Sequence, residues 1–436
     1  MMAKGPMRVT VLFYTLGCKV NQYDTQTLKE LFIRRGYALC PPGQTPDVVV
    51  VNTCTVTAES DRKGRQAVRR YARRYPDAVV CVTGCMPQAR AEKADALAEA
   101  HVVIGNALNP RLPELVEQYR QTGERIVQVS PHREQPAFDA LSSDNFEGRT
   151  RAFVKIEDGC NRFCSFCLIP YARGRVRSKP LDAVQAELAA LAANGYREVV
   201  LAGIDLTAYG ADLGLTLADA VEAAQQIPGI ARVRLGSMEP DQLPDPLLDR
   251  LQACDKLCPQ FHLSLQSGSD AVLKAMNRHY DTAFYADLVA RLRERWPGCA
   301  VTTDVMCGFP GETDEDFAAT LAFMETVGFA RVHAFLYSPR EGTPAARMEQ
   351  LPAPVKNARM AALCAAADRL QQAFLQAQVG SARSVLLERR RPDGSWEGHT
   401  DHYVPVRVAA AGSPAGQILP VLITAAEEDF CRGTLL

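Results

Sequence analysis

The stretch Arg151-Ala-Phe-Val-Lys-Ile-Glu-Asp-Gly-Cys160-Asn-Arg-Phe-Cys164-Ser-Phe-Cys167 decides how the chain is read. It opens with a strand candidate, Phe153–Ile156, and runs directly into three cysteines at C-x3-C-x2-C spacing. Thiolates this close together can wrap one face of an iron–sulfur cubane. Four irons want four ligands and the motif supplies three, so one iron keeps an open position, the mark of a catalytic rather than a structural metal. Structural zinc is the competing reading. It wants a fourth Cys or His nearby, and none lies close in sequence.

Five more strand candidates follow: Glu198–Leu201, Arg232–Leu235, Phe261–Leu265, Ala300–Val305 and Arg331–Tyr337. Helix-compatible stretches such as Leu181–Asn194 and Tyr285–Arg295 separate several of them. Six β/α units in about 190 residues imply a partial (β/α)6 barrel, shorter than the eight-unit form of ~250 residues and open on one side.

On the amino-terminal side one theme recurs three times: an apolar run, a short polar turn, then cysteine. It reads Val9 to Cys18, Asp47 to Cys54 and Ala78 to Cys85, with helical stretches Gln22–Arg35 and Ser60–Tyr75 between. Strand–helix–strand alternation implies a parallel α/β sheet, so the three cysteines leave one edge and can converge although 36 and 31 positions apart. Residues 129–150 read as a linker. A long helix over Val355–Val379 precedes short strands with Gly and Pro turns, a small all-β domain. The expected domains are 7–128, 151–372 and 373–436.

Hydrophobic residues make up 47% and charged ones 23%, with net charge −1, so no global basic field advertises nucleic acid. No run approaches the ~20 apolar residues of a membrane span, and no signal peptide follows Met1–Met7. A cytoplasmic location is expected, which keeps the 14 cysteines free for metal or catalysis.

The Cys160/Cys164/Cys167 motif after a first strand resembles the radical S-adenosylmethionine superfamily. Leu16-Gly-Cys18-Lys-Val-Asn21, Asn52-Thr-Cys54 and Thr83-Gly-Cys85 resemble the ligands of an auxiliary cluster in the methylthiotransferases, and the C-terminal β domain is similar to the TRAM module. The resemblance implies two 4Fe–4S clusters, S-adenosylmethionine, and transfer of a methylthio group to C2 of an adenosine beside a tRNA anticodon. Gly17–Asn21, Tyr171–Ser178 and Gln266–Arg278 look closest to enzymes acting on N6-threonylcarbamoyladenosine. N6-isopentenyladenosine and an aspartate of a ribosomal protein are the alternatives within the family, and a zinc-stabilised RNA-binding protein the alternative outside it. An electron donor such as flavodoxin or ferredoxin is implied, as is a sulfur source.

Strand ends in such a barrel face the cofactor. Gly203, Glu239, Ser264, Gln266 and Asp304 are therefore candidate S-adenosylmethionine contacts, with Phe166 in the cluster motif and Phe309 in the Gly308–Glu312 loop. Beyond the cluster ligands no catalytic side chain is assigned. Arg173, Arg175, Arg177, Arg389 and Arg390 are candidate phosphate contacts, and Trp396 and Tyr403 candidate stacking platforms; Trp396 fits barrel packing equally well. The basic run Arg62–Arg74 fits either RNA or a solvated helix face. The seven histidines show no ligand pattern, and Cys81 reads as core.

Overall fold

The computed structural model describes residues 8–130, 132, 138, 141–146 and 148–436. Six parallel strands form the first sheet: β1 (Thr10–Thr15), β2 (Ala38–Leu39), β3 (Val48–Thr53), β4 (Val79–Gly84), β5 (Val102–Ile104) and β6 (Ile126–Gln128), in the order β2-β1-β3-β4-β5-β6. The four valines of Val48–Val51 are wholly buried, as β-branched residues covered on both faces should be. Each contributes roughly 1.5–3 kcal/mol over an exposed position. Helix α1 (Lys19–Arg34) follows β1, and α2 (Ala58–Arg74) follows β3. Thr57 caps α2 by accepting from the Ser60 amide, and Glu59 and Asp61 sit in its first turn, where the helix dipole favours acids.

The central unit is a half-barrel of parallel strands. β7 (Arg151–Lys155), a short pair β8 (Glu157–Asp158) and β9 (Arg177–Ser178), then β10 (Glu198–Ala202) and β11 (Arg232–Leu235) come first. β12 (Ser237–Met238), β13 (Gln260–Leu263), β14 (Ala300–Cys307) and β15 (Arg331–Leu336) follow. The ladder runs β7-β10-β11, then β12-β13-β14-β15, and an isolated parallel bridge, Val233 to Leu257, spans the seam. All six expected strands are present. The side between β7 and β15 is open, and α1 lies against β7 there. Of the expected linker, residues 131, 133–137, 139–140 and 147 fall outside the described residues. Its stretch 141–146 is fastened down: Tyr23 donates to the Leu141 carbonyl and Phe146 packs among Tyr23, Phe153 and Tyr196.

The helix Ala353–Gln376 leads to a closed β-barrel of β16 (Ala382–Arg390), β17 (Trp396–Thr400), β18 (Pro405–Val408), β19 (Ile418–Ala426) and β20 (Cys431–Leu435). This barrel caps the amino-terminal ends of the half-barrel strands. Arg232 donates to the carbonyls of Ser384 and His399, and Arg234 to those of Thr400 and Asp401. Trp396 is 5% exposed within the β-barrel core, so it packs and is not an RNA platform. Tyr403 is likewise spoken for. It sits in the β17–β18 turn at φ 64°, stacks on His399 at 4.6 Å, and lies under the guanidinium groups of Arg151 and Arg234 at 4.9 and 4.8 Å. Tyr403→Ala removes both cation–π contacts, and a loss of about 1–3 kcal/mol is expected. Thermal unfolding checks it; an unchanged midpoint would show that the turn contributes nothing to the junction. No helix among the described residues is long and apolar enough to cross a membrane.

Candidate active site between two cysteine triads

Each N-terminal cysteine stands where its strand ends. Gly17 and Gly84, just before Cys18 and Cys85, adopt φ of 109° and 100°, and Gly159 before Cys160 has φ 107°. A Cβ on Gly84 would lie 2.3 Å from the Thr53 carbonyl oxygen, and one on Gly159 2.0 Å from that of Arg175. Only glycine turns the chain there, so the backbone itself aims those thiols. Cys54 and Cys85 lie within electrostatic reach of each other and of Cys18. Asn21 joins the three segments, donating to the carbonyls of Leu16 and Thr53 at 2.8 Å and accepting from the Cys85 thiol at 3.7 Å.

The second triad is held the same way. The amides of Arg162 and Ile169 donate to the Cys160 and Cys167 sulfurs at 3.4 Å, and Arg278 donates to Cys164 Sγ at 3.2 Å. Arg278 also pairs with Glu239 and, with Tyr280, donates to the Ser264 carbonyl. Two expected contacts, Glu239 and Ser264, are thus tied to Cys164 through an arginine to which the sequence analysis assigned no role.

Arg173 is the corresponding group of the first triad, and it overturns an expectation. Its side chain is 2% exposed, so it cannot meet a phosphate. It ends α3 (Ile169–Arg173), directly after the second triad, yet donates to Cys85 Sγ at 3.3 Å, to Asp24 at 2.8 Å, to Asp158 at 3.2 Å and to Asn21 Oδ1. Burial would raise the Asp158 carboxyl, but Arg173 and Lys155 hold it well below the carboxylate range. Arg177 turns inward to the carbonyls of Arg173 and Arg175. Arg175 alone of the three is exposed, over the Phe163 ring at 4.6 Å. Arg389 and Arg390 are exposed on the β-barrel, Arg389 paired with Glu397.

One cavity is lined by Phe166 and Cys167, by Val56 and Thr57 just past Cys54, and by Gln266 and Asp304 at strand ends. Three expected cofactor contacts therefore share one wall. Gln266 is strained at φ 69°, its amide donating to the Asp304 carbonyl at 2.8 Å. Phe309 is wholly buried against Tyr337 and backs the cavity instead of lining it. Gly203 leaves room for Glu157, whose Oε2 would lie 2.7 Å from an added Cβ. Asp205 beside it is buried, and burial together with Glu239 raises its pKa to about 6. The folded state thus binds this proton more tightly than the unfolded chain, and the associated stability, present at low pH, is lost as pH rises through about 6. Asp205→Asn should stabilise by about 2–3 kcal/mol at pH 8 and about half that at pH 5; thermal unfolding at the two pH values checks the sign.

Burial raises the free thiols, Cys85 and Cys167 to about 12, so binding metal must displace protons. Sulfurs on one tetrahedral zinc lie about 3.8 Å apart, given bonds of about 2.3 Å. Among the described residues the only trio of such ligand atoms all within 4.8 Å is His262, Asp304 and His333, so neither cysteine triad is drawn in as zinc requires. Wider three-thiol cradles with N–H donors on the sulfurs fit a cubane. The histidine–aspartate trio, on β13–β15, faces the half-barrel lumen; no local pattern announces it because its members lie on three separate strands. His262 is satisfied there by Thr302 at 3.0 Å and Asp304 at 3.4 Å.

The lumen floor is densely charged, with Asp401 also beside Arg232. Arg151, Arg232 and Arg234 share the carboxylates of Glu198 and Glu388. Burial alone would raise the Tyr403 phenol, but Arg151, Lys19 and Arg234 bring it below its ordinary value.

Residues 154–324 match the Radical SAM superfamily and residues 10–105 the Uncharacterized protein family UPF0004. The threonylcarbamoyladenosine tRNA methylthiotransferase MtaB of Bacillus subtilis (strain 168) is 38% identical over 97% of this chain and 96% of its own. The chain belongs to the radical S-adenosylmethionine tRNA methylthiotransferase family. It is a radical enzyme that uses S-adenosylmethionine and a 4Fe–4S cluster. The tRNA-2-methylthio-N(6)-dimethylallyladenosine synthase of Anaeromyxobacter dehalogenans (strain 2CP-C) is also 38% identical, over 99% of this chain and 95% of its own. Of solved structures, the radical S-adenosylmethionine methyltransferase TsrM from Kitasatospora setae superposes with a TM-score of 0.59 at 17% identity, covering 78% of this chain and 77% of that one, a likeness of fold. Cys160, Cys164 and Cys167 lie inside the matched radical SAM region, and Cys18, Cys54 and Cys85 inside the matched N-terminal region.

Proposed function

We propose that this enzyme adds a methylthio group to C2 of N6-threonylcarbamoyladenosine beside the anticodon of tRNA, with one 4Fe–4S cluster on each cysteine triad. One observation carries the reading: Cys167 of one triad and Val56 and Thr57, just past Cys54 of the other, line one cavity, and Arg173, six residues after Cys167, donates to Cys85. When bound, the clusters and S-adenosylmethionine supply a radical able to take hydrogen from an unactivated adenine C–H and the sulfur that replaces it. The chain does the rest. Asn21 and Arg173 fix the first set of thiols, and Arg278 and Glu239 fix the second. Phe166, Gln266 and Asp304 form the wall against which a nucleoside is oriented, and the β-barrel closes the lumen from below. Arg175 and the exposed face of α2 give the tRNA backbone cationic contacts; Arg69, Arg70 and Arg73 line a groove there with Tyr14. A low-potential donor such as flavodoxin or ferredoxin delivers the electron, and a separate sulfur source replenishes what each turnover removes.

Identity does not separate relatives named for the two substrates; the charged lumen favours the threonylcarbamoyl one. Nucleoside mass spectrometry of host tRNA with the gene present and deleted tests the reading. Loss of the methylthiolated threonylcarbamoyl nucleoside is expected. Loss of the dimethylallyl counterpart instead would reassign the substrate, and an unchanged profile would point to a protein target.

A further inference from the structure

We infer that Lys19 is the residue that recognises the carboxylate of the threonylcarbamoyl substituent. The inference rests on the proposed substrate and names the group that selects it. Lys19 follows Cys18 and opens α1, on the unclosed side of the half-barrel. Its side chain makes no hydrogen bond or ion pair with another described residue. Its amine lies within electrostatic reach of Tyr403, Arg234 and Arg151, and it acts on His333 across the lumen. Lys19 is nonetheless exposed, so the space around it admits water and therefore a ligand.

This placement works against the fold. The start of a helix favours acids, yet the first turn of α1 holds none, and its first residue is a cation beside two arginines. An anion arriving at Lys19 would relieve both repulsions. Asp304 is the acid facing this part of the lumen, and it is engaged by His262.

The chemistry of the target sets where such a cation must stand. C2 and N6 of adenine share the Watson–Crick edge, with N1 and C6 between them. A group placed to receive sulfur at C2 therefore carries its N6 substituent past the same side of the site. The residue after a ligand of the sulfur-bearing cluster is positioned to meet it. A threonylcarbamoyl arm ends in a carboxylate that an ammonium can pair with, whereas a dimethylallyl arm offers nothing to a charge and would leave Lys19 unpaired. The methionyl carboxylate of S-adenosylmethionine presents the same chemistry, so the test separates the two.

The experiment uses cluster-loaded enzyme and two substrates: tRNA bearing N6-threonylcarbamoyladenosine, and the same tRNA with that carboxylate converted to a methylamide. Lys19→Gln should raise KM for the acid tRNA about tenfold or more while changing that for the amide less than about twofold. KM for S-adenosylmethionine and iron content should hold, and Lys19→Arg should restore most of the preference. Equal weakening toward both tRNAs, a shift in the KM for S-adenosylmethionine, loss of iron, or no effect would each overturn the assignment. The substrate reading fails separately: wild-type enzyme would then leave the acid tRNA unmodified at any concentration.

Discussion

Replacing Cys160, Cys164 and Cys167 together by alanine is expected to abolish cleavage of S-adenosylmethionine and to halve the iron, from about eight per chain to about four. These cysteines lie in the matched superfamily region, on the loop beside Arg278 and Glu239. Among the described residues only Cys164 is bound by a side chain of the barrel, so the loss is chemical before it is structural. The first triad is built from other strands, with Asn21 holding its segments, and should keep its share of metal. Anaerobic reconstitution with iron analysis, and chromatography of 5′-deoxyadenosine, check both halves. Persistent cleavage would mean that the roles of the two triads are exchanged.

Arg173→Met should be the most damaging change outside the cysteines. It removes a buried guanidinium from Asp24 and Asp158 and from the Cys85 sulfur, leaving Lys155 with both acids and, among the described residues, only Arg177 beside it, at 3.9 Å from Asp158. Breaking one side of a buried ion pair costs about 3–5 kcal/mol. Loss of iron from the first triad should accompany it, because the same side chain donates to Cys85 and Asn21. Arg173→Lys should not rescue, since a single ammonium cannot serve four acceptors spread around a planar fork. Chemical denaturation and iron analysis check this. A variant with wild-type stability and full iron would show that the bridge between the triads is idle.

Much of this was legible in the sequence because the decisive signals are local. Three strand-then-cysteine units and one tight motif fix a parallel edge and a half-barrel, and neither needs knowledge of distant partners. The misassignments share the opposite property. Arg173 sits in an arginine-rich run that looks like a phosphate patch, and nothing nearby reveals Asp24, 149 residues away. Tyr403 and Trp396 read as stacking platforms because an aromatic side chain looks the same whether its face meets a base, an arginine or a barrel core. Phe309 follows a strand as a cofactor contact would, but its neighbour Tyr337 comes from the next strand and covers it. Arg278 and Lys19 could have been suspected, the first for ending the Gln266–Arg278 stretch, the second for adjoining Cys18. What each touches is set by tertiary approach alone.

The bridge from Arg173 to Cys85 also dictates an order of maturation. The chain leaves the ribosome at about 5–20 residues per second, so Arg173 is synthesised roughly four to eighteen seconds after Cys85. Until then the amino-terminal thiols lack the cation that closes their pocket. The first thiol pocket is thus closed only once the sequence carrying the second triad has been translated, and a nascent fragment ending before that point holds its three cysteines without their buried cation.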